Sequence, residues 1–142
     1  MGFAHPRVGK PAPVRKVTRL AEERSHPVAE VTGHPRDEGV DCELIGRHVN
    51  GATEFAMGVY CMSPNQLHPR HYHPRGAELY YVLDGSCLIT VDDDEIEATP
   101  GTAVYLPEGT IHAVRTRPTE SVSILWSFDE GDERDITTTW LE

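Results

Sequence analysis

From residue 40 onward, apolar and polar residues alternate in short runs that are separated by turn-forming residues. In the run 54–62, apolar side chains occupy every second position (Phe55, Met57, Val59, Cys61), as on one face of a strand. Similar β-rich runs lie at 43–49, 79–83, 87–91, 95–98, 103–106, 111–116 and 122–128. Eight or nine short strands with regularly spaced turns predict an all-β sandwich or barrel.

Two local signals refine this picture. The pair Asn50-Gly51 is typical of a two-residue hairpin turn, because both residues tolerate a positive φ. Residues 1–40 are rich in proline and contain seven Lys or Arg against five Asp or Glu, whereas the remainder contains six against eighteen. We therefore expect an N-terminal arm over 1–40 and a barrel domain over 41–142. A short helical segment is predicted at 18–24, with Thr18 as its cap. A partly disordered tail is an equally good interpretation of the arm.

Composition excludes several classes of protein. A chain of 142 residues fits one domain, and a net charge of −10 argues against nucleic acid or an anionic membrane as a partner. The sequence shows neither an apolar run of membrane-spanning length nor the apolar core of a signal peptide. Three widely spaced cysteines argue against a disulfide framework, so a cytoplasmic location is expected.

The candidate chemistry is a metal site. His71 and His73 lie one residue apart, so on a strand they share a face, and Glu78 and His112 follow along the chain. Three imidazoles and one carboxylate suit Fe, Mn, Ni, Zn, Co or Cu, and a six-coordinate ion would keep two positions open. Taken alone, a histidine pair with this spacing is more often an ordinary surface or core feature.

The surrounding residues make the pattern more specific. The run His71-x-His73-xxxx-Glu78-xxxxxx-Gly85 resembles the first motif of the cupin superfamily, and Gly101-xxxxx-Pro107-x-Gly109-xx-His112 resembles its second motif. Asn65 and Thr116 depart from the family's usual glycine and asparagine, but neither position is a ligand. The resemblance, to a small single-domain cupin of the cupin 2 type, implies a double-stranded β-helix, or jelly-roll barrel. It also implies that His71, His73, Glu78 and His112 bind one divalent ion, with Fe or Mn favoured. A homodimer is a further expectation, with the arm laid across its interface.

Tyr80 is the candidate catalytic side chain, because it lies two residues after Glu78 and so faces the same interior. Its phenol could act as a general acid or base, with its pKa lowered by the nearby cation, or could simply pack in the barrel. The bacterial dimethylsulfoniopropionate lyases of the superfamily look similar at this position, although their histidine-to-glutamate interval is one residue shorter.

Three functions are consistent with the sequence. The first is an Fe(II)-type dioxygenase that acts on a small molecule carrying a carboxylate or carbonyl, and it is favoured by analogy with other single-domain cupins. The second is a metal-dependent lyase, isomerase or decarboxylase in which Tyr80 moves the proton. The third is a non-catalytic sensor or binding protein, which has no need of open metal positions.

Overall fold

Two antiparallel sheets face each other in this computed structural model, which describes residues 13–142. Eleven strands lie in this part of the chain: β1 (His26–Pro27), β2 (Val40–Ile45), β3 (Ala56–Met62), β4 (Leu67–Tyr72), β5 (Glu78–Gly85), β6 (Cys87–Val91), β7 (Asp94–Ala98), β8 (Ala103–Leu106), β9 (His112–Arg115), β10 (Val122–Phe128) and β11 (Thr139–Trp140). One sheet has the order β1-β2-β3-β10-β5-β8, and the other has the order β11-β4-β9-β6-β7. The predicted all-β jelly-roll barrel is confirmed.

The core lies between the sheets, and strand alternation fills it. In β5, Glu78, Tyr80 and Val82 are buried, whereas the side chains between them are exposed. In β10, every second residue from Val122 to Phe128 is buried. The predicted shared face of Glu78 and Tyr80 is therefore confirmed, and it faces the opposite sheet.

Met57, Val59 and Cys61 of the third strand share one face, as predicted, but this face points away from the main core, and Phe55 precedes the strand. Ala56, Tyr60 and Met62 point into the core, whereas Phe55 is 52% exposed and Cys61 is exposed. Met57 and Val59 instead form a second apolar cluster with Cys42 and Leu44 of β2. Both faces of this strand carry apolar side chains, so hydrophobicity alone could not tell which face is the interior one.

The Asn50-Gly51 pair does not form a two-residue hairpin. Strands β2 and β3 do pair, but residues 46–55 form the loop between them. Asn50 is buried in this loop, where its side-chain oxygen accepts hydrogen bonds from the backbone N–H of Gly46 and of Ala52. Gly51 has a φ of 83°, so the pair supplies the left-handed residue of a longer loop.

Residues 13–40 run over the barrel, while the first twelve residues of the predicted arm lie outside the described part of the chain. The predicted helical segment is a single 3-10 turn, Leu20–Glu22. Thr18 does not cap it, since the hydroxyl of Thr18 donates to the carbonyl of Leu44 instead. A short helix, α1 (Val28–Thr32), follows β1 and was not predicted. The division into arm and barrel at residue 40 stays a prediction.

An apolar row remains on the outer face of the six-stranded sheet. Leu79, Tyr81 and Leu83 of β5 are 42–44% exposed, and Tyr105 of β8 is 70% exposed opposite Leu79. The predicted homodimer stays a prediction. Between residues 13 and 142, no helix is long and apolar enough to cross a membrane.

Candidate metal centre

The two sequence motifs meet across one pair of strands. His71 near the end of β4 lies directly opposite His112 at the start of β9 in the antiparallel register. His73 follows immediately after β4, and Glu78 begins β5 in the facing sheet. All four residues are buried, each with 9% or less of its surface exposed. The predicted ligands therefore come together between the sheets, although they are distributed over three segments of chain.

The donor atoms of these side chains converge. One ring nitrogen from each of His71, His73 and His112 lies within 4.8 Å of the other two. The Glu78 Oε1 atom lies 3.3 Å from His73 Nε2 and 3.2 Å from His112 Nε2. Two donors at right angles around an ion, each about 2.1 Å from it, lie about 3 Å apart. The spacing therefore fits donors that share a single ion.

Hydrogen bonds on the outer side of each ring fix its orientation. The Nδ1 atoms of His71, His73 and His112 lie 2.7, 3.0 and 2.9 Å from the carbonyl oxygens of Pro69, Thr137 and Thr110, respectively. A carbonyl only accepts, so each Nδ1 carries a proton, and a neutral ring then has its lone pair on Nε2. Such outer partners are typical of metal-binding histidines.

This arrangement suits a bound cation. In the neutral form of these rings, the Nε2 lone pairs of His73 and His112 face the Glu78 carboxylate, and a divalent ion between them would accept electron pairs from all three. Lone pairs that converge in a buried site repel one another unless a positive charge lies between them. The three-histidine cluster therefore fits a divalent metal ion, and Glu78 as its fourth ligand stays a prediction.

The pKa values agree with this state of the ligands. Burial lowers the pKa of His71 well below its ordinary value, and the neighbouring His112 and His68 lower it further. Burial alone would raise the pKa of Glu78, but its contacts with His112 and His73 outweigh burial and hold that pKa at about 2. At neutral pH the site thus offers a neutral imidazole and an ionised carboxylate, the forms that bind metal.

Comparisons with known proteins agree with this geometry. A family profile described as the cupin domain matches residues 58–128, half of the chain. The chain belongs to the cupin family. The polyketide cyclase RemF from Streptomyces resistomycificus has a similar structure, with a TM-score of 0.75 at 22% identity over 91% of this chain and 87% of that one. Oxalate decarboxylase from Bacillus subtilis gives 0.67 at 20% identity, covering 96% of this chain and 33% of that one.

Two curated proteins are similar to this cupin in sequence. The tetracenomycin polyketide synthase protein TcmJ from Streptomyces glaucescens is 27% identical over 90 residues, 63% of this chain and 60% of that protein. Quercetin 2,3-dioxygenase from Bacillus subtilis is 36% identical over 45 residues, 32% of this chain and 13% of that protein. The chain thus spans less than two thirds of the length of each.

The two departures from the cupin motifs have structural explanations. Asn65 adopts a φ of 59°, the left-handed conformation that suits glycine and that asparagine tolerates. Thr116 is buried, and its hydroxyl donates to the carbonyl of Ser63 and accepts from the backbone N–H of Gln66. Thr116 thereby holds the turn that precedes β4, the strand on which His71 lies.

The metal centre opens into a cavity whose lining residues come from both sheets, α1 and the C-terminal segment. They are Val28, Thr32, Asp41, Tyr60, His68, His71, His73, Glu78, Tyr80, Trp126, Glu133, Ile136, Thr138 and Trp140. Tyr80 lies in this wall, with its ring centroid 5.9 Å from that of His112. Burial raises the pKa of Tyr80 well above its ordinary value of 10, and the charge of Glu78 adds to this.

His68 is part of the cavity wall but is not one of the clustered ligand atoms. Its Nδ1 lies 2.6 Å from Asp37 Oδ1, and its ring packs edge-on against His71 at 4.6 Å. Burial lowers its pKa, but the Asp37 carboxylate raises it more, so the net shift is upward. His68 is therefore paired with Asp37 and does not join the clustered ligand atoms.

No sequence motif pointed to several other residues of the cavity wall. Asp41 accepts a hydrogen bond of 2.6 Å from the indole N–H of Trp126, and Glu133 in turn bonds to Asp41. Trp140 of β11 packs on His71 at 4.8 Å between ring centroids. These residues lie far apart in sequence, and only the paired strands bring them together. The one available hint was Gly58, over which the Trp126 ring lies.

Proposed function

We propose that this protein is a metal-dependent cupin enzyme that acts on a small molecule, as an Fe(II)-type dioxygenase. The observation that carries the proposal is the convergence of three imidazole nitrogens and one carboxylate oxygen on a point that opens into a cavity. A bound divalent ion would supply open positions for a chelating substrate and for oxygen, together with Lewis-acid polarisation of a substrate oxygen. The similarity to quercetin 2,3-dioxygenase, which is named as a dioxygenase, also supports this reaction class.

The cavity supports a substrate that carries a carbonyl or hydroxyl rather than several carboxylates. Among its lining residues, none is Lys or Arg, whereas three are acidic: Asp41, Glu78 and Glu133. Aromatic and aliphatic side chains make up much of the remaining wall, including Tyr60, Trp126 and Ile136. A second carboxylate would meet like charge there at a considerable cost, whereas an uncharged ring or chain would bury apolar surface.

The first test of the proposal is stabilisation by metal. Fe(II), Mn(II) or Zn(II) should raise the melting temperature of metal-free protein, because the ion binds the folded site and the unfolded chain lacks that site. At a free metal concentration of 100 times Kd, the expected gain in unfolding free energy is about 2.7 kcal/mol. Calorimetry with and without a chelator measures it. A melting temperature that is unchanged by all three ions contradicts a metal site.

Oxygen consumption tests the reaction class. Protein loaded with Fe(II) without oxygen is mixed with aerated buffer and a panel of hydroxyketones, and oxygen uptake is followed with an electrode. Uptake that depends on both iron and a panel member is the expected result. Turnover of a panel member by zinc-loaded protein, without oxygen uptake, would instead support a lyase or isomerase.

That lyase or isomerase is the second candidate function, and the placement of Tyr80 in the cavity wall favours it. On the dioxygenase proposal, Tyr80→Phe should keep near-normal oxygen uptake, because the phenol transfers no proton in that reaction. If the protein is instead a lyase or isomerase, Tyr80→Phe should lower its activity by about 100-fold or more while its metal content stays unchanged. Tyr81→Phe is the matched control, since the neighbouring Tyr81 points outward and is 42% exposed.

A further inference from the structure

A pair of carboxyl groups lies in the cavity wall beside the metal ligands. Asp41 on β2 is 4% exposed, and Glu133, in the 3-10 turn Glu133–Asp135, hydrogen-bonds to it. Two carboxylates cannot hydrogen-bond to each other unless one carries a proton. The pair therefore holds one proton and one negative charge, as in other closely spaced carboxyl pairs.

The surroundings show which carboxyl carries the proton. Asp41 Oδ1 already accepts the indole N–H of Trp126 at 2.6 Å, which favours the ionised form of Asp41. Burial raises the pKa of Glu133 well above its ordinary value, and the Asp41 carboxylate adds to that shift. Burial also raises the pKa of Asp41, which makes it a stronger base than an exposed aspartate.

A separate observation indicates that a polar ligand binds beside this pair. Trp140 lines the same cavity, and its indole nitrogen is buried with no hydrogen-bond partner among residues 13–142. A buried donor without a partner costs free energy, so an acceptor on a bound molecule would satisfy it. The metal ligands, the Asp41–Glu133 pair and the Trp140 donor thus border one space.

We propose that the Asp41–Glu133 pair is the proton acceptor for the substrate in this cavity. This inference rests on the proposed function, since the substrate is the one held at the metal centre. The pair takes a proton from an acidic O–H, or from a C–H next to a carbonyl. An O–H bond forms on the carboxylate, the substrate bond to hydrogen breaks, and its electron pair stays on the substrate as an alkoxide or enolate. The pair becomes neutral, and the reverse transfer restores it.

Hydrogen exchange on a simple ketone tests the proposal without the natural substrate. Zinc-loaded protein is incubated with hydroxyacetone in deuterated water, and NMR follows deuterium uptake next to the carbonyl. We expect the protein to accelerate uptake, and both Asp41→Asn and Glu133→Gln to remove about 100-fold or more of that acceleration. Asp135→Asn is the matched control, because Asp135 is an exposed acid in the same turn.

Zinc content is measured on every sample, and it separates the two proposals. If wild-type protein holds zinc but does not accelerate exchange, the proposed role of the carboxyl pair is wrong. The same holds if the Glu133→Gln variant accelerates exchange as much as the wild type does. Wild-type protein that holds no zinc overturns the proposed function instead. Circular dichroism checks that each variant is folded, and the two variants provide independent tests of the pair.

Infrared difference spectra give a second readout that needs no catalysis. At neutral pH, the spectrum of the wild type minus that of the Glu133→Gln variant should contain the carbonyl stretch of a protonated carboxylic acid. Wild type minus Asp135→Asn should lack it. If the first difference spectrum shows only carboxylate bands, Glu133 holds no proton and the proposal is wrong.

Discussion

Replacing His71 and His73 together with alanine is expected to abolish metal binding. The double variant loses two of the three clustered imidazole nitrogens. Loss of an outer hydrogen-bond partner alone weakens metal affinity by about 10–100-fold, so removing two ligands should weaken it by far more than about 100-fold. Elemental analysis of protein purified without a histidine tag measures the bound metal, and we expect about one equivalent in the wild type and almost none in the variant.

The control for this experiment is another histidine. His26→Ala changes a residue of β1 that does not line the cavity, so its metal content should match that of the wild type. His112→Ala should behave like the double variant, although His112 comes from the second motif. Equal metal content in the wild type and the His71→Ala/His73→Ala variant would refute the metal site.

Gly85→Ala is expected to cause the largest loss of stability among the glycine substitutions. Gly85 has a φ of 73°, and a Cβ placed there would lie 1.9 Å from the carbonyl oxygen of Ser121. That oxygen also accepts the backbone N–H of Ser86, so it cannot move freely. Strain in the left-handed region and steric overlap each cost about 1–3 kcal/mol, so the free energy of unfolding should fall by about 2–6 kcal/mol.

Gly101→Ala separates these two effects. Gly101 has a φ of 92°, but no atom lies within 4 Å of a Cβ placed there. Only the backbone strain remains, and we expect a loss of about 1–2 kcal/mol. Urea denaturation of the wild type and both variants gives the comparison. Equal losses at the two sites would contradict a steric role for Ser121.

The sequence contains enough local information to predict that the four candidate ligands lie close together. The spacing of His71 and His73 encodes a shared strand face, and the glycine and proline positions of both motifs encode the turns that bring in Glu78 and His112. Strand alternation in β5 and β10 likewise predicts the interior, because only one face of each strand is consistently buried.

The remainder of the cavity could not be predicted in this way. Asp41 and Glu133 are ninety-two positions apart, and each resembles a surface acid when only its neighbours are considered. Their proximity depends on the path of the C-terminal segment across the barrel. The interior face of β3 was hidden for a different reason, since Met57 and Val59 on its other face pack beside Cys42 and Leu44 of the neighbouring β2.

The register between β4 and β9 also limits which insertions and deletions the site can accept during evolution. His71 faces His112 through a backbone ladder, so one extra residue inside β4 would turn His71 to the opposite side of the sheet. Pro74 and Arg75, by contrast, lie in an exposed loop between His73 and Glu78. Lineages of this protein should therefore vary in length within this loop while the strands that carry the histidines keep theirs.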